Sequence, residues 1–98
     1  MGTSEGTLRC NGVDLAYRLD GTAGRPVLLF SNSLASDMSI WDGQLAAFKS
    51  DHRIVRYDMR GHGRSPVAEG SLTSDDLASD AIALIEQLAL GPVHFVGI

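Results

Sequence analysis

Apolar and polar positions alternate early in the chain and then change period. Thr7 to Cys10 and Val13 to Leu19 are short strand-like runs, with Val13, Leu15, Tyr17 and Leu19 on one side, joined through Asn11-Gly12. Asn-Gly supplies the two positive φ angles of a type I′ turn, so these runs predict a β-hairpin. Gly21 to Pro26 is a polar turn, after which Pro26 to Phe30 is unbroken in its apolar character. A run of that kind marks a strand buried on both faces, as in a parallel sheet. Ser39 to Phe48 carries Ile40, Trp41, Leu45 and Phe48 at helical spacing, and Arg53 to Tyr57 is a second strand ending in Asp58. Thr73 and Asp76 form a capping box ahead of a helix whose apolar stripe is Leu77, Ala81, Leu84, Ile85 and Leu88. Gly91 and Pro92 stop that helix, and Val93 to Ile98 reads as a third buried strand, central in its sheet. Strand, helix, strand, helix, strand predicts an α/β chain: a mixed, mostly parallel sheet with an N-terminal β-hairpin and right-handed crossovers.

Composition narrows the partners. The 98 residues are 44% hydrophobic and 20% charged, which fits one ordinary globular domain without repeats or low-complexity segments. The net charge is −4. Its basic residues (Arg9, Arg18, Arg25, Lys49, Arg53, Arg56, Arg60, Arg64) are scattered, so nucleic acid and anionic membrane are not expected partners. No stretch approaches the roughly 20 apolar residues of a membrane span. Met1 to Gly6 has no basic start and no apolar run, unlike a signal peptide. Cys10 is the single cysteine, which excludes an internal disulfide and points to a cytoplasmic location.

Three groups of residues are candidates for chemistry. Ser31-Asn32-Ser33-Leu34-Ala35 follows the first buried strand, where ligands bind in open α/β sheets. Its small polar residues either leave main-chain N–H groups accessible to a developing oxyanion or form a turn capping the next helix. Asp58-Met59-Arg60-Gly61-His62-Gly63-Arg64-Ser65 superficially resembles a dinucleotide fingerprint. It has Pro66 where G-x-G-x-x-G needs glycine, and a tight reversal with Asp58 and Arg60 paired is the favoured reading. His52, His62, His94 and Cys10 have no metal-ligand spacing, so no metal is expected, and His94 reads as a packed core residue. Trp41 is either core or part of a pocket wall.

Leu28 to Ala35, Ser39-Ile40-Trp41-Asp42, Arg56 to Ser65 and His94-Phe95-Val96-Gly97 together resemble the α/β-hydrolase family. Within it, Ser31-Asn32-Ser33-Leu34 in place of the commoner H-G-x-P is similar to the 3-oxoadipate enol-lactonases. The resemblance implies that the backbone N–H of Leu34 belongs to an oxyanion hole, with Ser33 and Trp41 as candidate substrate-binding residues. It implies a serine nucleophile just after Ile98, in a G-x-S-x-G turn whose first glycine is Gly97, with the acid and histidine later still. His52, His62 and His94 are therefore not the catalytic base. The implied activity is hydrolysis of a carboxylic ester or lactone, without cofactor or metal. Alternatives are a sibling hydrolase with an aspartate nucleophile, such as a dehalogenase or epoxide hydrolase, and a non-catalytic member of the fold.

Residues 1–98 are accordingly expected to be the N-terminal segment of one α/β-hydrolase domain of roughly 200 to 250 residues, inactive and not folding alone. The expected partner is a C-terminal segment or chain of the same hydrolase. One route to such a boundary is cleavage at the strained nucleophile turn, by attack of the serine on the Ile98 carbonyl; a designed fragment is the equal alternative.

Overall fold

The structure, a computed structural model, describes residues 4–32, 37–60 and 74–97. Five strands form one sheet: β1 (Ser4–Cys10), β2 (Val13–Gly21), β3 (Val27–Ser31), β4 (Arg53–Tyr57) and β5 (Val93–Gly97), in the order β1-β2-β4-β3-β5. β1 and β2 pair antiparallel with Cys10 opposite Val13, and Asn11 and Gly12 between them have φ of 52° and 82°. That is the turn expected of Asn-Gly, whose twist matches the strands it joins. β2 also pairs antiparallel with β4, whereas β3 pairs parallel with both β4 and β5. The sheet is therefore mixed, antiparallel from β1 through β2 to β4 and parallel from β4 through β3 to β5.

Alternation along the strands builds two cores. Leu15, Val27, Leu29, Val55 and Tyr57 face α2 (Ser74–Gln87), packing with Ala81 and Leu84. Phe30 and Ile54 face the other way, against Trp41 and half-buried Leu45 of α1 (Asp42–Phe48). Connections from β3 to β4 and from β4 to β5 thus cover opposite faces and place their strands on opposite sides of β3. The strand order reverses at β3, and the carboxyl end of such a strand is where an open α/β sheet forms its crevice.

Two expectations are corrected, the helix over Ser39 to Phe48 and the packing of His94. The helix expected over Ser39 to Phe48 is a 3₁₀ turn (Met38–Trp41) followed by α1, and of its supposed stripe Ile40 and Phe48 are exposed. Asp37 accounts for this, because its side chain accepts the Ser39 N–H at 2.9 Å and fixes the first turn at Met38. Within the described residues β5 pairs with β3 on one side only, with His94 exposed and Phe95 55% exposed. Its free edge has no strand to cover it among those residues, which is why His94 is not the packed core residue its apolar neighbours suggested. Arg60 is held by Asp80: its Nε and Nη2 donate to the Asp80 carboxylate at 2.7 and 2.6 Å. A helix residue 20 positions away was invisible to a local reading.

Candidate functional site

The carboxyl ends of β3 and β4 lie side by side, and what leaves them is held by polar side chains inside the protein. On the α2 side, the Ser31 and Tyr57 hydroxyls are 3.1 Å apart. Burial pushes the Tyr57 phenol above its ordinary pKa of 10.0, opposed by the Ser31 hydrogen bond and aided by Asp80. This pair borders an open cavity of about 430 Å³ between α2 and the sheet, walled mainly by Met59, Leu77, Ala81, Ile85 and Phe95.

On the α1 side Asn32 is buried. Its Nδ2 donates to the Tyr57 carbonyl at 2.9 Å and its Oδ1 accepts the Trp41 indole N–H at 2.7 Å. The Trp41 ring stacks on Phe30 with centroids 4.6 Å apart. Asp58, also buried, accepts the Met38 N–H at 2.8 Å. Arg56, 2% exposed in the middle of β4, donates to the Met38 carbonyl at 3.2 Å, to Asp42 at 2.5 Å and to Asp20 at 3.0 Å. Both peptide groups of Met38 that can hydrogen-bond, its N–H and its C=O, are thereby taken by β4 and its continuation.

Of the residues singled out from sequence, Leu34 and Ser33 lie outside the described residues, as do Gly61 to Ser65. Trp41 is buried, hydrogen-bonded to Asn32 and stacked on Phe30 of β3. The structure thus gives the ends of the 33–36 loop: Asn32 on one side, Asp37 and Met38 on the other. Among the described residues no group of three or more His, Cys, Asp or Glu could hold a metal. No described helix is long and apolar enough to cross a membrane. Cys10 is buried, and its thiol is pushed up by that burial and by Asp80. Sequence reasoning missed Asp20, Arg56 and Asp80 as buried polar residues. Only Arg56 carried a local signal, a cation inside the otherwise apolar run Ile54-Val55-Arg56-Tyr57.

Comparison with known proteins places this geometry. Residues 26–98 match the family described as alpha/beta hydrolase fold. The chain is 41% identical over 92 residues to 3-oxoadipate enol-lactonase 2 of Acinetobacter baylyi, covering 94% of this chain and 34% of that protein. The crystal structure of the enol-lactonase from Burkholderia xenovorans superposes with a TM-score of 0.92 at 37% identity, over 95% of this chain and 36% of that one. An epoxide hydrolase from Vigna radiata superposes with a TM-score of 0.88 at 31% identity, over 97% of this chain and 31% of that one. The chain spans about a third of the length of the curated relatives it matches.

Proposed function

The chain belongs to the alpha/beta hydrolase fold family, and on that premise we propose that its protein hydrolyses a carboxylic ester or lactone of the 3-oxoadipate enol-lactone kind. The observation that carries the proposal is the 41% identity to an enol-lactonase along almost the whole chain. In this reading a serine attacks the carbonyl and water releases the acid. The Leu34 backbone N–H helps hold the oxyanion, and Ser33 lines the substrate pocket. Trp41 contributes from behind, as a packed support. The serine is expected in the turn after β5, which runs parallel to β3 and delivers Gly97 opposite Ser31. That register puts the two carboxyl ends next to each other, as a nucleophile and its oxyanion donor need to be. The remaining catalytic groups belong to a C-terminal segment of the same hydrolase, which is the partner proposed for this chain. A cytoplasmic location rests on the single buried cysteine.

Epoxide hydrolases among the relatives favour a second reading, with an aspartate at the nucleophile position and an epoxide as substrate. A fluorophosphonate probe on the complete protein separates the two. Stoichiometric labelling together with enol-lactone or aryl ester turnover supports the serine hydrolase. No labelling, with turnover of an epoxide, overturns it in favour of the second reading.

A further inference from the structure

The loop proposed to bind the oxyanion is short, and its two ends meet the same strand end. We propose that Asn32 and Asp58 are positioning residues that tie the main chain on either side of residues 33–36, at Asn32 and at Met38, to the end of β4, and that Trp41 sets the orientation of Asn32. The proposal deepens the functional reading of that loop and rests on it.

Asn32 has one possible orientation. An indole N–H only donates and a peptide carbonyl only accepts, so Oδ1 must face Trp41 and Nδ2 must face the Tyr57 carbonyl. Both bonds are buried. At the other end Asp58, the residue after Tyr57, takes the Met38 N–H, while Arg56 takes the Met38 carbonyl. Two consecutive residues at the end of β4 therefore fix the chain on both sides of residues 33–36. A main-chain donor stabilises a developing oxyanion only if it is already aimed at the position the oxygen will occupy. Anchoring a loop through side chains at both ends supplies that aim without constraining the loop's own side chains.

A merely structural role for these residues predicts lower stability with unchanged turnover of the folded fraction. A positioning role predicts a fall in kcat with KM little altered, because the donor matters most in the transition state. The test uses the complete protein, with p-nitrophenyl acetate as substrate, well below the unfolding temperature of each variant. Asn32→Asp keeps the acceptor for Trp41 and loses the donor to Tyr57. Its kcat should fall about 10²-fold, the scale of a small misplacement. Asp58→Ala should fall comparably, while Asp58→Asn, which keeps an acceptor for the Met38 N–H, should retain most of the activity. If Asn32→Asp does not fold, Trp41→Phe takes its place, since it keeps the ring on Phe30 and removes only the N–H. Unchanged kcat in a folded Asn32→Asp or Trp41→Phe, or equal losses in Asp58→Asn and Asp58→Ala, overturns the proposal. Wild-type protein inactive on esters would overturn the functional reading instead. Exchange of the Met38 amide hydrogen then decides the clamp without turnover: slow in wild type and Asp58→Asn but fast in Asp58→Ala supports it, and equal rates in all three overturn it.

Discussion

Replacing Arg56 with methionine in the complete protein tests whether the buried guanidinium organises the end of the sheet or is simply tolerated there. Arg56 is 2% exposed and serves three acceptors. Its bond to Asp42 is worth little, because the Asp42 side chain is 68% exposed and rehydrates when the partner goes. Such exposed pairs contribute about 0–1 kcal/mol. Asp20 is different, since its side chain is 9% exposed and loses the nearer of two cations, leaving Arg18 at 3.4 Å. Removing one partner of a buried pair costs about 3–5 kcal/mol, and the retained Arg18 puts this case at the lower end. The Met38 carbonyl adds about 1–3 kcal/mol if it is left unsatisfied. Against this, the Arg56 Nε is buried with no hydrogen-bond partner, and its removal returns roughly 1 kcal/mol. The expected net loss is about 3–6 kcal/mol, read as a lower urea midpoint at unchanged m. Adding Asp20→Asn to Arg56→Met should recover part of that loss, giving a coupling energy of about 1–3 kcal/mol. A loss under about 1 kcal/mol for Arg56→Met would refute the reasoning, because a charge replaced that cheaply organises nothing.

Leu34→Pro removes the proposed oxyanion N–H and should lower kcat by about 10²-fold or more, with Leu34→Ala mild; near-normal turnover of a folded Pro variant removes Leu34 from the mechanism. Gly21→Ala should cost more than about 2 kcal/mol in thermal or urea unfolding, since φ is +84° and a Cβ would lie 2.1 Å from the His52 carbonyl oxygen. Gly12→Ala at φ +82°, with nothing within 4 Å, should lose only about 1 kcal/mol; equal losses at the two positions would show that the close approach is not real. The raised pKa of Tyr57 means that the folded state holds the phenolic proton more tightly than the unfolded one. Its contribution to stability is therefore complete below the ordinary value of 10.0 and is lost as pH rises from there through the folded value. Tyr57→Phe should flatten that alkaline decline; ultraviolet titration showing Tyr57 ionising at or below 10.0 in the folded protein would contradict it.

The hairpin, both helical crossovers and the mixed sheet were legible because period and turn chemistry are local. Asn11-Gly12 needs no tertiary context to form its turn, and Val27 to Phe30 reads as two-sided because it is two-sided, under α1 and α2. What was not legible depended on residues far apart in sequence. Asp80 sits on a helix face where an acidic residue reads as solvated, yet it is 1% exposed and meets Arg60 and Asn11. The helix start at Met38 was displaced because Asp37 caps it, a competitor to the Ser39 start that periodicity alone cannot rank. The region of the proposed site could be found from Ser31 to Ala35, since it follows a buried strand. Its anchors could not, because each is a side chain reaching a different strand or helix.

Where the buried polar residues fall says what they are for. Replacing a buried ion pair with well-packed apolar residues is often neutral or stabilising, so stability alone gives no reason to keep one. Among the described residues the buried polar ones are Asp20, Asn32, Arg56, Asp58 and Asp80. Asn32 and Asp58 bind the two sides of residues 33–36, Arg56 binds Met38 beside the latter, and Asp20 pairs with Arg56. Asp80 grips Arg60, the last described residue before the Gly61-His62-Gly63-Arg64-Ser65 segment. All five therefore hold, directly or through one partner, the chain next to one of the two motif segments that leave the carboxyl ends of β3 and β4. An apolar core could not do this, because dispersion is non-directional and hydrogen bonds are not. The sheet's interior is apolar where it only has to be stable and polar where a main-chain direction has to be set. Enzymes of this fold class do their chemistry beside those same strand ends.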